Sequence, residues 1–394
     1  MNDRHISGFE ILAKLSSGGM GDILLAKKSS AHGFEKLFAV KTIRGELARR
    51  PDIRAMFLDE ARLVARLDHR AIAQVFDFGE HEGSLFLAME YVAGIPLNKL
   101  LIKRQAALPP LVAAQIASKA ARGLHAAHEL SDIDGTQLGV VHRDVSPGNL
   151  ILTFDGHVKI VDFGIAFMNE RESPDTQLGE LKGKPSYMAP EQLRCERVDR
   201  RSDVFSLSVV LHEMLTGRKL FSKTNVVATA LAVERGDVPV PSSIVGALPD
   251  GLDGIVMRGL ERDPEERFVD AKVMAEALEE ICREGNATPI SVFVEDELAD
   301  EHAEHKIWLQ SALRGEQESD DLPAIVSQSQ DLPAAPIEEP VSEAALAAPT
   351  TLVPAYTDPE QPVHESSRRT PLLLALLAFS GIAILVGLVA YMRR

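Results

Sequence analysis

Apolar positions in the first ninety residues recur mainly at every second place, and later ones at every third or fourth. Phe9 to Lys27 alternates about the turn Gly18-Gly19-Met20-Gly21, which predicts a hairpin. Phe38 to Ile43, Val75 to Phe78 and Leu85 to Tyr91 read as further strands. Between Asp52 and Leu67 the apolar points Met56, Leu63, Val64 and Leu67 have helical spacing. From Leu97 onward the pattern is helical: Val112 to Leu130 is an Ala-rich buried helix, followed by Ser202–Leu215, a segment near Asn225–Glu234, Leu252–Gly259 and Ala271–Glu284. The pattern predicts an α+β fold, with a small, mostly β lobe over about 8–92 and a larger helical lobe over about 93–285.

Residues 290–313 again show helical spacing, at Phe293, Leu298, Ile307, Trp308 and Leu313, and are expected to extend the large lobe. Residues 315–370 turn to Pro, Ala, Ser, Gln and acid without a sustained period, which reads as a disordered linker. Some 55 residues of flexible coil would span about 40 Å root-mean-square. Leu372 to Met392 then runs 21 residues without a charge. At 1.5 Å per residue that is about 32 Å of helix, enough to cross a bilayer core. Arg368 and Arg369 precede the run and Arg393 and Arg394 follow it, so flanking charge does not orient it. We expect a single-pass anchor. Ala383 and Gly387 form a small-xxx-small pair that would suit a homodimer, although such pairs are common in spanning helices.

The formal charge of −16 is concentrated in the tail: residues 291–370 hold 17 Asp and Glu against 4 Lys and Arg. This balance argues against nucleic acid as a partner, because binding phosphate backbones needs clustered base. Two cysteines, Cys195 and Cys282, cannot build a disulfide framework and have no metal-ligand spacing around them. Met1 to Glu10 is polar, with no apolar run of a secretory signal. Ser131 to Gly139 carries Asp132, Asp134 and Gly135 but no terminal Glu at calcium-loop spacing, so it reads as a turn.

The chemistry lies in His142-Arg143-Asp144-Val145-Ser146-Pro147-Gly148-Asn149 and in Asp162-Phe163-Gly164. An Asp, an Asn five residues on and a second Asp a hairpin later supply the oxygens of a nucleotide-metal site. With these motifs the chain resembles the protein kinases, in particular the eukaryotic-like Ser/Thr kinases of bacteria, over about residues 8–285. The resemblance implies a two-lobed kinase fold with ATP and Mg²⁺ (or Mn²⁺) as cofactors and proteins as substrates. Asp144 would be the catalytic base, and Asn149 and Asp162 the metal ligands. The glycine-rich loop would be Leu15, Ser16, Gly18, Gly21 and Ile23, with Ser16 in place of the first Gly. Lys41 would hold the phosphates and pair with Glu60, while Val64 would pack towards Phe163. Met89 to Val92, including Glu90, would form the adenine hinge, and Ala39 and Leu152 would sandwich the base. His142 would pack beneath Phe163, Asp203 would anchor the catalytic loop, and Glu191 of Ala189-Pro190-Glu191 would pair with buried Arg267.

Two departures from the family pattern are paired. Ser146 stands where the family places a Lys, and Lys184 stands where it places a Thr; the two positions meet beside the catalytic Asp in the family fold. Lys184 is expected to supply the ammonium missing at Ser146, and Ser146 the hydroxyl missing at Lys184. Arg143 before Asp144 implies control by phosphorylation of the activation segment, with Thr176, Ser173 and Ser186 as acceptors. Ile165 after the Asp-Phe-Gly implies a Thr preference. Since ATP is cytosolic, the resemblance would place the kinase on the cytoplasmic side of the inner membrane. The alternative reading is a membrane-tethered pseudokinase that binds nucleotide and scaffolds partners without turnover.

Overall fold

The computed structural model describes residues 5–17, 21–29, 33, 35–43, 45–163 and 184–316, with side chains left out at 46, 47, 52, 56 and 60. The chain divides into two units, Met1–Pro336 and Ile337–Arg394. Only the first contains described residues. The 372–392 run, its Ala383/Gly387 pair and nearly all of the 315–370 segment therefore lie outside them. Among the described residues no helix is long and apolar enough to cross a membrane.

Six strands form an antiparallel sheet in the order β1-β2-β3-β4-β6-β5: β1 (His5–Ile6), β2 (Phe9–Ser17), β3 (Asp22–Ser29), β4 (Glu35–Ile43), β5 (Val75–His81) and β6 (Ser84–Glu90). The expected hairpin is β2–β3, in which Ser16 faces Ile23 and Ser17 faces Asp22 across the register. Alternation places Leu25, Ala39, Leu87 and Met89 in the main core. The opposite face buries Phe9, Ala26, Phe38, Val40, Phe86 and Ala88 as a second cluster. Lys36 lies 3.8 Å over the Phe76 ring and Lys28 4.5 Å over Phe9, which shields that second face from water.

Short α1 (Gly45–Ala48) leads into α2 (Pro51–Val64), whose Pro51 at the first helical position fits a start there. A second sheet, order β7-β8-β9, joins β7 (Gly94–Pro96), β8 (Leu150–Thr153) and β9 (Val158–Ile160) at the mouth of the large lobe. These strands are too short for the apolar pattern to announce. The helices of the large lobe are α3 (Leu97–Arg104), α4 (Pro110–His128), α5 (Pro190–Leu193), α6 (Arg200–Thr216), α7 (Val226–Arg235), α8 (Pro241–Val245), α9 (Leu252–Gly259) and α10 (Ala271–Glu284). Asp199 caps α6 by accepting from the Arg201 amide at 2.8 Å, so this helix begins two residues before the expected Ser202. Helix α6 is buried on all sides, which is why its apolar pattern is nearly continuous. The Ser131–Gly139 insert is a turn: Asp132 accepts from the Ile133 amide and Asp134 from the Thr136 amide, at 2.7 and 2.9 Å.

The expected extension breaks into two helices, α11 (Ile290–Glu297) and α12 (Ala299–Arg314), with Leu298 fully buried at the corner. Its docking is built into the lobe. Gly156, in the β8–β9 turn, has φ +82, and a Cβ there would come within 2.6 Å of the Ser291 backbone. Only glycine satisfies both conditions. Arg104 pairs with Glu297 and Lys103 with Glu301, fastening the extension to α3.

Candidate active site

The catalytic loop hangs from one buried carboxylate. Asp203, in the first turn of α6, accepts the His142 amide through Oδ2 and the Arg143 amide through Oδ1, both at 2.8 Å. His128 Nε2 lies 2.7 Å from Oδ2. Burial pushes the Asp203 carboxyl up, but His128 and His142 outweigh it, and the group sits below the ordinary aspartate range. Arg143 and Asp162 have φ of 65 and 54, in the left-handed region. That conformation costs roughly 1–2 kcal/mol per side-chain-bearing residue. At Arg143 it is held by the Asp203 clamp and by Gln192 Nε2, which donates to the Arg143 carbonyl at 3.0 Å. His142 packs 4.5 Å from the Phe163 ring, and its Nε2 lies 3.2 Å from the Val161 carbonyl, as a structural residue would.

Asp144 and Asn149 come together through the loop. Asn149 Nδ2 donates to the Asp144 carbonyl and to Asp144 Oδ2, each at 2.8 Å. That commits the amide nitrogen and leaves Asn149 Oδ1 as its acceptor. Burial lifts Asp144 above the ordinary aspartate range, against the pull of the Lys184 ammonium, His142 and the Asn149 bond. Lys41 Nζ lies 2.9 Å from Asp162 Oδ1, joining β4 to the Asp-Phe-Gly start. The Glu60 side chain lies outside the described ones, so Asp162 is the partner observed for Lys41. Val64 and Phe163 share the main core. Among the described residues no cluster of three His, Cys, Asp or Glu could hold a metal unaided. A cation would rest on Asn149 Oδ1, Asp162 and nucleotide phosphates. That oxygen-rich, partly protein-supplied set suits Mg²⁺.

The paired departure meets as expected. Lys184 Nζ lies 3.3 Å from Ser146 Oγ, and a Cβ on Gly148 would stand 2.9 Å from the same ammonium. Ser146 is fully buried, so a long side chain there would need the space that Lys184 fills. Of the three acceptor candidates, Ser186 sits half-buried in the turn Pro185–Tyr187; Ser173 and Thr176 lie outside the described residues, as do Gly18, Gly164 and Ile165.

A cleft between the two sheets is lined by Leu15, Ser16, Ile23, Ala39, Met89, Glu90 and Val92, all expected, together with Tyr91, Gly94, Ile151, Val161 and Asp162. Leu152 is a correction. It is fully buried in the core and turned away from the cleft, which Ile151 lines instead. Strand alternation dictates this: Leu150 and Leu152 share the core face of β8, and the residue between them faces the other way. Gly21 lies against β4: its bare Cα abuts the Thr42 carbonyl, 1.7 Å from where a Cβ would stand. Its smallness lets the start of β3 approach β4. His305, from α12, lines the same cleft, and no motif in the chain points to it.

Glu191 and Arg267 form the expected buried pair. Arg267 Nη1 and Nη2 donate to Glu191 Oε1 and Oε2 at 2.7 and 2.8 Å, and Ser202 Oγ donates to Oε1 at 2.6 Å. Tyr187 donates to Glu213 at 2.8 Å and Ser206 to the Tyr187 carbonyl at 2.7 Å, which ties the end of the activation segment to α6.

A carboxylate beside an amide, a lysine paired to a second carboxylate and a cleft between two lobes define a phosphoryl-transfer architecture. The protein kinase domain profile matches residues 9–279, and the chain belongs to the protein kinase family. Tyrosine-protein kinase MasK of Myxococcus xanthus is 40% identical over 300 residues, which are 74% of this chain and 46% of MasK. Serine/threonine-protein kinase PknB of Mycobacterium tuberculosis is 35% identical over 291 residues, 72% of this chain and 44% of PknB. The crystal structure of the M. tuberculosis PknI kinase domain superimposes with a TM-score of 0.54 at 28% identity, covering 70% of this chain and 97% of that domain. The chain thus spans about half the length, or less, of these curated relatives.

Proposed function

We propose that this chain is an active protein kinase that transfers the γ-phosphoryl group of ATP to Thr and Ser hydroxyls, with Thr favoured. The observation that carries the reading is the conjunction of two contacts, Asn149 on Asp144 and Lys41 on Asp162, with Asp162 lining the cleft and acting electrostatically on Asp144. Asp144 accepts the proton of the attacking hydroxyl as the new O–P bond forms, the bond to the bridging oxygen breaks and ADP leaves. Asn149 fixes the Asp144 carboxylate through its amide and presents Oδ1 to a cation. Bound Mg²⁺, held also by Asp162, would neutralise phosphate charge. Lys41, paired with Asp162, and Lys184, beside Ser146 and acting on Asp144, would supply ammonium groups to the transferred phosphoryl. Activation-segment phosphorylation at Thr176, Ser173 or Ser186 would act through Arg143.

The full chain, incubated with labelled ATP, Mg²⁺ and casein, is expected to label casein and itself on Thr and Ser, with mass mapping placing its own sites among those three residues. MasK bears the name of a tyrosine kinase, so phosphoamino-acid analysis is the deciding readout. Phosphotyrosine alone would reject the specificity. Intact nucleotide binding without transfer would favour the scaffold reading.

The 372–392 run is proposed to anchor the kinase in the inner membrane, on the strength of its length and freedom from charge. Expressed in bacteria, the chain should sediment with membranes and resist carbonate extraction, whereas residues 1–370 should not. Equal partitioning of the two would remove the proposal.

A further inference from the structure

The cleft has a wall that the kinase profile does not include. The matched residues end at 279, yet His305 lines the cleft from α12, beside Tyr91 and Val92 of the hinge. His305 is only 4% exposed and is fixed from three directions. Its Nε2 lies 2.7 Å from Tyr91 Oη, and its ring lies parallel to the Tyr91 ring at 6.0 Å. Phe154, just after β8, meets His305 at 5.1 Å and stacks on His302 at 4.7 Å, while Trp308 closes the far side at 6.0 Å. This aromatic stack joins the hinge, the turn after β8 and the extension. A helix docked for stability alone would not need an imidazole at the edge of the pocket.

We infer that His305 is a nucleotide-binding residue, and that the adenine-nucleotide site of this chain is completed by α12, which closes the outer edge of the cleft through the His305–Tyr91 pair. The inference rests on the nucleotide-site reading given under Proposed function. Three rings cover most of the imidazole, and the part that lines the cleft is an edge offered to a base or ribose entering past the hinge. The Tyr91 bond sets the ring orientation and couples α12 to the hinge strand. Nucleotide binding should therefore tighten the docking of α12, and docked α12 should tighten nucleotide binding by the same factor.

Trp308 is the sole tryptophan of the chain and lies against His305, so its fluorescence reports on the site. The test titrates the full chain with ADP and Mg²⁺ and follows Trp308 emission and calorimetric heat. His305→Ala is expected to weaken ADP about tenfold, a typical loss when an aromatic contact to a base is removed. Tyr91→Phe, which removes only the hydroxyl, should weaken it about threefold. His305→Gln, which keeps a hydrogen-bonding group without the ring, should fall between parent and His305→Ala. KM for ATP should rise in parallel while kcat stays within twofold, a split that general loosening of the fold would not produce. ADP should also slow amide exchange across residues 299–314 in the parent and not in His305→Ala.

ADP binding within twofold of the parent in His305→Ala, or unaltered exchange in α12, would overturn the inference. Should His305→Ala lose the parent's melting transition, equal ADP binding by His305→Gln, Tyr91→Phe and the parent would overturn it instead. A parent chain that binds no ADP would strike the nucleotide-site reading itself, which separates the two failures.

Discussion

Lys184→Ala is expected to lower kcat by about 10²–10³, the loss seen when one preorganised charge-stabilising donor is removed from a reacting centre. The ammonium stands 3.3 Å from Oγ of Ser146, the residue that replaces the family's catalytic-loop lysine, and it pulls on Asp144 electrostatically. On the proposed mechanism, its removal would leave the developing phosphoryl charge to Lys41 and the bound cation. Ser146→Lys alone should also be damaging, because Ser146 is fully buried and the space beside it is already filled by Lys184. The double variant Lys184→Thr/Ser146→Lys restores one ammonium and one hydroxyl and should recover activity to within about tenfold of the parent. The two substitutions would then be strongly non-additive, as groups sharing one site are. The pH profile provides a second readout. Lys184 lowers the Asp144 pKa against the upward push of burial, so its loss should move the acidic limb of kcat to higher pH. Full turnover in Lys184→Ala, with an unshifted limb, would show that the exchange carries no catalytic weight.

Much of this site is visible in the residue string because its parts are short and local. Asp144 and Asn149 sit five residues apart in one loop, and their contact follows from that loop alone. Asp203 and Arg267 stand in recognisable motifs, and both do what buried charges must: each meets several fixed partners. Register was less legible. Leu152 and Ile151 are equally apolar, and only the two-residue period counted from buried Leu150 says which one faces the cleft. The helix starts shifted by the reach of caps, as at Asp199. His305 was beyond reading, since it lies 214 residues from Tyr91 and nothing local distinguishes it from any helical histidine. Gly156 held the nearest clue: a glycine at positive φ whose missing side chain admits Ser291, marking where the extension docks.

Arg267→Ala is expected to destabilise the kinase unit by about 3–5 kcal/mol, the usual result of stranding one member of a buried ion pair. Arg267 is 0% and Glu191 4% exposed at the side chain, so water cannot replace the lost partner. The guanidinium spends all five donors. Besides Glu191 it bonds the carbonyls of Glu261, Arg201 and Arg262 at 2.7, 3.1 and 3.3 Å, and it lies 4.9 Å over the Phe205 ring. Arg267→Lys should therefore recover little, because an ammonium cannot reproduce the planar fork. An apolar pair, Arg267→Met with Glu191→Leu, should be more stable than either single variant, since no charge is then left buried alone. The pH dependence has a definite sign. Burial raises the Glu191 carboxyl, but Arg267 and Ser202 outweigh it and hold the folded pKa below the ordinary glutamate value. A depressed carboxyl pKa contributes stability that is present above the unfolded value, about 4.3, and is lost as pH falls through the lower folded value. The deficit of Glu191→Gln in denaturant melts should therefore be full at pH 7 and shrink in acid, where the parent's carboxyl is protonated too. A constant deficit across that range would mean that shape, and not charge, holds the end of the activation segment in place.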